Sequence, residues 1–398
     1  MSLASGVEYL AIPGPSVMPE AVLRAMHRPA SNIYDGDLID LTACIIPRLK
    51  QVAQTDGYAT IYISNGHGAW EAALANIATR DDHILVAATG RFAHGWAEMA
   101  RRMGIEVDIL EFGDTTPIDP QKLQDHLSQK PSDYYRAVLI THVDTSTSIK
   151  NDVARVREAM DQTKTSALLA VDCIASLGCD QFLMDDWGVD VMVASCQKGL
   201  MVPPGLAFVF FNERAAERQL RLEYVSMYWD WAPRANPELF YQHFCGTAPT
   251  HHLFGLDAAL TLIETEGLDN VFHRHETLAR AIWAAADVWG QNGALRMNVE
   301  NPKHRSHAVT ALRLNAPDGT RLRHWTQSQA GLTLGIGLGM STPTDPQGDG
   351  FFRFGHMGHV NAQMIMGLLG TVQAGFIALD IDHGTGAIEA AARVIAQG

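Results

Sequence analysis

The chain has 398 residues, 47% of them hydrophobic, and a net charge of −14. That length supports a large buried core and usually divides into two or more domains, which excludes an extended disordered chain. The acidic balance repels phosphate backbones and anionic lipid, so neither nucleic acid nor a membrane is an expected partner.

The five cysteines, Cys44, Cys173, Cys179, Cys196 and Cys245, are an odd set without Cys-x-x-Cys or Cys/His ligand spacing. They read as reduced thiols of a cytoplasmic protein, and no metal site is expected. Residues 1–6 lack a basic region and a long apolar run, so no signal peptide is expected. No apolar run approaches the roughly 20 residues of a membrane span.

In chain order, Ala11-Ile12-Pro13-Gly14-Pro15-Ser16 is a stiff arm, either a plain lead-in or a segment that lies across another surface. A short helix is expected over 19–26. Asn32-Ile33-Tyr34-Asp35-Gly36-Asp37 is a turn-rich loop, and 38–54 has helical periodicity. The strand expected over 58–63 runs into Ser64-Asn65-Gly66-His67-Gly68, a small-residue turn that opens a helix. Such a turn presents free backbone N–H groups and the positive end of the helix dipole, which suits a phosphate, although an ordinary strand-to-helix connection looks the same.

The strand over 84–88 leads through Thr89-Gly90-Arg91-Phe92 to a helix expected over 94–103. Phe92, at the C-terminal end of a strand, is either core or a ring that stacks on a planar ligand. Strands are expected over 106–110 and 136–142, and helices near 119–129 and 151–162. The hydroxyl-rich loop Val143-Asp144-Thr145-Ser146-Thr147-Ser148 follows the second of these strands.

Two apolar runs then end in reactive side chains. Ala167-Leu168-Leu169-Ala170-Val171 delivers Asp172, and Val189 to Ala194 delivers Ser195-Cys196-Gln197-Lys198-Gly199, with Pro203-Pro204-Gly205 close behind. A restrained lysine and a strand-end aspartate are the two groups that a pyridoxal phosphate site needs, one for covalent attachment and one to pair with the pyridinium nitrogen. Alternating strands and helices with near-continuous apolar strands predict an α/β fold whose mostly parallel sheet is covered on both faces.

After the strand over 206–211, residues 224–252 are aromatic, Pro-rich and His-rich, and their length points to a functional or interface loop. Helices over 253–264 and 268–289 are expected to bridge to a smaller α+β domain with strands over 307–314 and 351–356 and a helix over 360–378. Gly335-Ile336-Gly337-Leu338-Gly339 reads as a flexible turn, since its spacing is not that of a dinucleotide fingerprint. The expected division is an arm at 1–16, a large domain at 17–255, and a bridging helix with a small domain at 256–398.

Several motifs occur in an order that resembles the class V, fold-type I pyridoxal phosphate aminotransferases of the alanine/serine–glyoxylate type. They are Pro13-Gly14-Pro15, Ser64-Asn65-Gly66-His67-Gly68, Val171-Asp172-Cys173, Ser195-Cys196-Gln197-Lys198-Gly199 and Arg353-Phe354-Gly355-His356-Met357-Gly358. The resemblance implies that Lys198 carries the cofactor and shuttles protons, and that Asp172 holds the pyridinium nitrogen. It further implies that Phe92 stacks on the ring, that Asn65, Gly66, His67 and Gln197 bind the phosphate, and that Ser146 or Thr145 bonds the ring hydroxyl. Arg353 would clamp the substrate carboxylate, with Gly14 and Tyr34 also facing the substrate. Thr247 would reach a phosphate from the neighbouring subunit of a homodimer.

Three positions depart from the family pattern. Phe244 replaces a phosphate-binding tyrosine, residues 32–36 read closer to the pyridoxamine–pyruvate branch, and Ser148 stands where glycine is usual. The implied activity moves an amino group from a small amino acid such as serine or alanine to glyoxylate or pyruvate. The alternatives are a pyridoxamine–pyruvate type aminotransferase and a lyase or desulfurase, which would need a nucleophilic cysteine, with Cys245 as the loop candidate.

Overall fold

The computed structural model describes residues 2–291 and 293–398. Side chains of successive strand residues point to opposite faces, and in the large sheet both faces are apolar. Leu169 and Val171 enter one core while Leu168 and Ala170 enter the other. Met192, Ala194, Phe208 and Phe210 continue the first, and Val191, Val193, Ala207 and Val209 the second. Helices Asp37–Ala53, Pro120–Ser128, Val153–Thr163 and Thr250–Glu266 close the first core. Helices Gly66–Ile77 and Arg91–Arg102 close the second.

The sheet has seven strands in the order Tyr58–Ser64, Gly205–Phe211, Val191–Ser195, Leu168–Asp172, Tyr135–Thr141, His83–Ala88 and Glu106–Glu111. Only Gly205–Phe211 runs antiparallel to its neighbours. The expected mostly parallel, doubly covered sheet is therefore the one observed. Its C-terminal edge collects the segments that follow Ala88, Thr141, Asp172 and Ser195, the edge where open α/β sheets place their ligands.

A second sheet of five strands runs Tyr9–Ala11, Leu332–Ile336, Phe351–Gly355, Val309–Arg313 and Arg296–Met297. Phe352 and Phe354 point into its core, against helices Leu268–Gln291 and Ala362–Ala378, and alternation turns Arg353 to the opposite face. The helix Asp318–Ala330 lies beside this sheet, and Ala387–Gln397 packs along Leu268–Gln291.

Several expectations change. The Gly335-Ile336 half of the supposed flexible turn belongs to the strand Leu332–Ile336. The arm is not a bare lead-in, because Tyr9–Ala11 pairs in parallel with Leu332 to Leu334 of the same chain. The helix expected from 94 begins at Arg91, because the Asp144 carboxylate accepts the N–H groups of Phe92 and Ala93 and caps the helix from another strand. The helix Thr250–Glu266 buries Leu253, Leu256, Leu260 and Ile263 in the large-sheet core, so the division drawn at 255 falls inside it. Gly267, with φ of 86°, separates it from the next helix.

The irregular stretch at 224–252 is largely structural. Trp231 stacks on Phe211 of the large sheet with centroids 4.1 Å apart. The buried guanidinium of Arg234 donates to the carbonyls of Ile61, Tyr228 and His243, which ties the stretch to the edge strand Tyr58–Ser64. Among the described residues, no helix is long and apolar enough to cross a membrane.

Candidate active site

Six segments meet over the C-terminal edge of the large sheet. Lys198 follows the strand Val191–Ser195, and its Nζ donates to the carbonyl oxygen of Pro13 in the arm. Ser16 fixes that contact, since its N–H donates to Gln197 O at 2.9 Å and its Oγ to Lys198 O at 2.7 Å. Gly14 packs directly on the lysine: a Cβ there would lie 2.3 Å from Lys198 Nζ, so only glycine allows the approach. Burial, then the positive charge of Arg353, lower the Lys198 pKa to about 8, while Asp172 pulls the other way.

Asp172 ends the strand Leu168–Asp172 and is buried. Its Oδ1 accepts the N–H of Ile174 at 2.7 Å and its Oδ2 the indole N–H of Trp70 at 2.9 Å. Burial raises its pKa to about 7 against those two donors. Ile174 also packs on Gly66, where a Cβ would come within 2.5 Å of its Cδ1. That glycine therefore lets the turn after Asp172 sit against the start of helix Gly66–Ile77.

The same helix start carries the phosphate candidates. Asn65 caps it by accepting the His67 N–H at 3.1 Å, and the first N–H groups of a helix have no intrahelical acceptor. Burial lowers the His67 pKa, so its ring is neutral at neutral pH. Gln197 Oε1 and Ser195 Oγ are buried without a hydrogen-bond partner, which leaves unused polar capacity beside Lys198.

Asp144, which was not singled out in the sequence, organises the next loop. Besides capping the Phe92 helix, its Oδ1 accepts the N–H of Ser146 at 3.0 Å and the Ser146 hydroxyl at 2.5 Å. The single Ser146 proton is thus committed, and its oxygen also accepts the Arg91 N–H at 3.2 Å. Thr145 contributes its carbonyl, which accepts Arg353 Nη1 at 2.7 Å.

Arg353 is 6% exposed, and its Nε donates to Ile336 O at 2.7 Å. Burial lowers its pKa to about 10, with Asp144 opposing, so it stays charged at neutral pH. Of its five N–H donors, two are used by the Ile336 and Thr145 carbonyls, and three remain.

Within the single chain this grouping brings together Gly14, Gln197, Lys198, Asp172, Thr145, Ser146, Phe92 and Arg353. Tyr34 is not part of it, being 87% exposed on its loop. Thr247 is exposed as well, while Phe244 is buried against Phe240 and His243. Trp70, Asp144 and the Pro13 carbonyl are the contributors to which the sequence reading assigned no role. A tryptophan five residues after the cap Asn65, on the face of the helix that meets the sheet, is the signal that would have found the first of them.

The fold is thus a doubly covered α/β sheet whose C-terminal edge holds a buried amine and carboxylate, with a buried guanidinium brought to them from the second sheet. Residues 42–343 match the family model described as aminotransferase class-V. The serine–glyoxylate aminotransferase of Methylorubrum extorquens is 32% identical over 94% of this chain and 92% of its own length. The L-aspartate–glyoxylate aminotransferase of Paracoccus denitrificans is 32% identical over 91% and 89%. The crystal structure of the ureidoglycine–glyoxylate aminotransferase from Bacillus subtilis superposes with a TM-score of 0.86 at 25% identity, covering 99% of this chain and all of that one. The chain belongs to the class-V aminotransferases.

Proposed function

We propose that this enzyme moves an amino group from a small amino acid, serine, alanine or similar, to glyoxylate or pyruvate, with pyridoxal phosphate as its cofactor. The observation that carries the reading is the pairing of a buried lysine, whose pKa is brought down to about 8, with a guanidinium that keeps three free donors. Glyoxylate recurs in the names of the similar proteins while the donor amino acid varies among them, which supports glyoxylate as an acceptor.

The residues present fit pyridoxal phosphate. The helix start at Asn65, Gly66 and His67, with the unpartnered Gln197 and Ser195, suits its phosphate, and Asp172 suits its ring nitrogen. Phe92 would lie against the ring, and Ser146 or Thr145 would meet the ring hydroxyl. Bound there, the cofactor supplies an electron sink for the bonds at the substrate α-carbon.

The chain's own groups do the rest. Arg353 would grip the substrate carboxylate with two parallel N–H groups, a geometry that also fixes the direction of the α-hydrogen. Lys198, close to half deprotonated near pH 8, would carry the proton from the substrate α-carbon to the cofactor carbon that takes up the amino group, and in the opposite direction during the second half-reaction. Gly14 and Pro13 would cover the lysine and keep water from it.

The lyase or desulfurase alternative needs a thiolate. Burial holds the Cys173 thiol far above its ordinary value and pushes Cys179 and Cys196 up to about 12. We infer a homodimer in which Thr247 and Tyr34 serve the neighbouring site; the exposed Tyr224, Met227, Leu239 and Tyr241 offer it an apolar surface. Initial rates measured against both substrates test the reaction: parallel double-reciprocal lines are expected, and intersecting lines would contradict the two-stage transfer.

A further inference from the structure

Trp70 lies in the first turns of helix Gly66–Ile77 and is 1% exposed. Apolar residues at Ala69, Trp70, Ala73, Leu74 and Ile77 follow helical spacing and face the sheet. Hydrophobic packing explains why a large side chain is there. It does not explain why the side chain is an indole whose one polar atom reaches Asp172.

The contacts of Trp70 converge on the candidate cofactor residues. Its N–H donates to Asp172 Oδ2 at 2.9 Å, while Ile174 holds Oδ1 at 2.7 Å. Its ring lies 4.6 Å from that of His67 and meets the Phe92 ring edge-on at 6.2 Å. Trp96 stacks on it at 6.0 Å, and Gly95 makes room for it, since a Cβ there would sit 3.2 Å from the indole.

A carboxylate gripped at only one oxygen can rotate about its Cβ–Cγ bond. Held by a donor on each oxygen, it cannot, and each oxygen keeps a further lone pair for a third donor. We propose that Trp70 is a positioning residue that locks the Asp172 carboxylate in the orientation that receives the ring nitrogen of pyridoxal phosphate. The same side chain spaces Phe92 and His67 around the ring's path. The inference rests on the reading of Asp172 as the partner of that nitrogen.

Equilibrium binding to the full-length apoprotein tests it, with pyridoxal phosphate and its carbocyclic analogue, in which C–H replaces the ring nitrogen. Wild type should bind the natural cofactor more tightly than the analogue. Trp70→Phe should weaken the natural cofactor about tenfold or more, the effect of losing one hydrogen bond to a charged group, and leave the analogue almost unchanged. Trp96→Phe, equally buried but without contact to Asp172, should shift both by the same factor.

Equal weakening of both ligands by Trp70→Phe would overturn the proposal, because a packing defect does not distinguish the ring atom. An unchanged preference in Trp70→Phe would overturn it as well. If wild type shows no preference, the role of Asp172 itself falls, an outcome distinguishable from failure of the Trp70 inference alone. Should Trp70→Phe not fold, benzothienylalanine at position 70 keeps the bicyclic ring and removes only the N–H, and the same criteria apply.

Discussion

Arg353→Lys separates a clamp from a structural cation. The guanidinium spends two of its five N–H donors on Ile336 O and Thr145 O and can offer a parallel pair to a carboxylate. An ammonium is a point donor, so one of the two charge-assisted bonds to the substrate is lost. Such a bond contributes about 1.5–3 kcal/mol, which corresponds to roughly a tenfold to hundredfold fall in kcat/KM. The assay compares serine with ethanolamine, the same amine without the carboxylate, in the first half-reaction under single-turnover conditions. The variant should lose that factor with serine and almost nothing with ethanolamine. An equal loss with both would refute the reasoning, because it would place Arg353 in the scaffold and not against the substrate.

The depressed pKa of Lys198 predicts that acylation of this lysine in the apoprotein, followed by peptide mass spectrometry, is half-maximal near pH 8 and not near the ordinary 10.5. In Arg353→Met the midpoint should move up, since a neighbouring positive charge is removed; no movement would contradict the electrostatic cause. Gly14→Ala places a Cβ against Lys198 at a φ of 94°, so it should cost about 1–3 kcal/mol of stability and at least tenfold in turnover. A variant with normal kcat would show that the arm does not pack on the lysine.

Asp180 is fully buried, and although burial opposes it, Lys150 and His307 hold its pKa below the ordinary 3.8. The unfolded chain therefore takes up this proton first as the pH falls. The stability contributed by Asp180 is complete above about pH 4 and is lost progressively below it. Lys150→Met should destabilise the fold by about 3 kcal/mol and move acid unfolding, followed by circular dichroism, to higher pH.

The large sheet was legible because its strands are buried on both faces and announce themselves as continuous apolar runs ending in Asp172 and near Lys198. Arg353 was legible only through its motif, since nothing in a short aromatic strand shows which face an arginine takes. What stayed hidden depends on contacts between distant segments. The start of the Phe92 helix is set by a carboxylate 52 residues away, the difference between Asp144 and Phe92. The arm strand Tyr9–Ala11 is three residues long and exists only because Leu332 to Leu334 lie beside it. Trp231 falls in the aromatic stretch expected as a functional or interface loop, yet its stacking on Phe211 makes it part of the core.

The central claim is that Lys198 is the residue that carries pyridoxal phosphate. Borohydride reduction of the cofactor-loaded enzyme, followed by peptide mapping, tests it most directly. The label is expected on the peptide containing Lys198, and Lys198→Ala should show neither label nor visible absorbance. A label on any other lysine, or a wild-type protein that takes up no cofactor, would contradict the account.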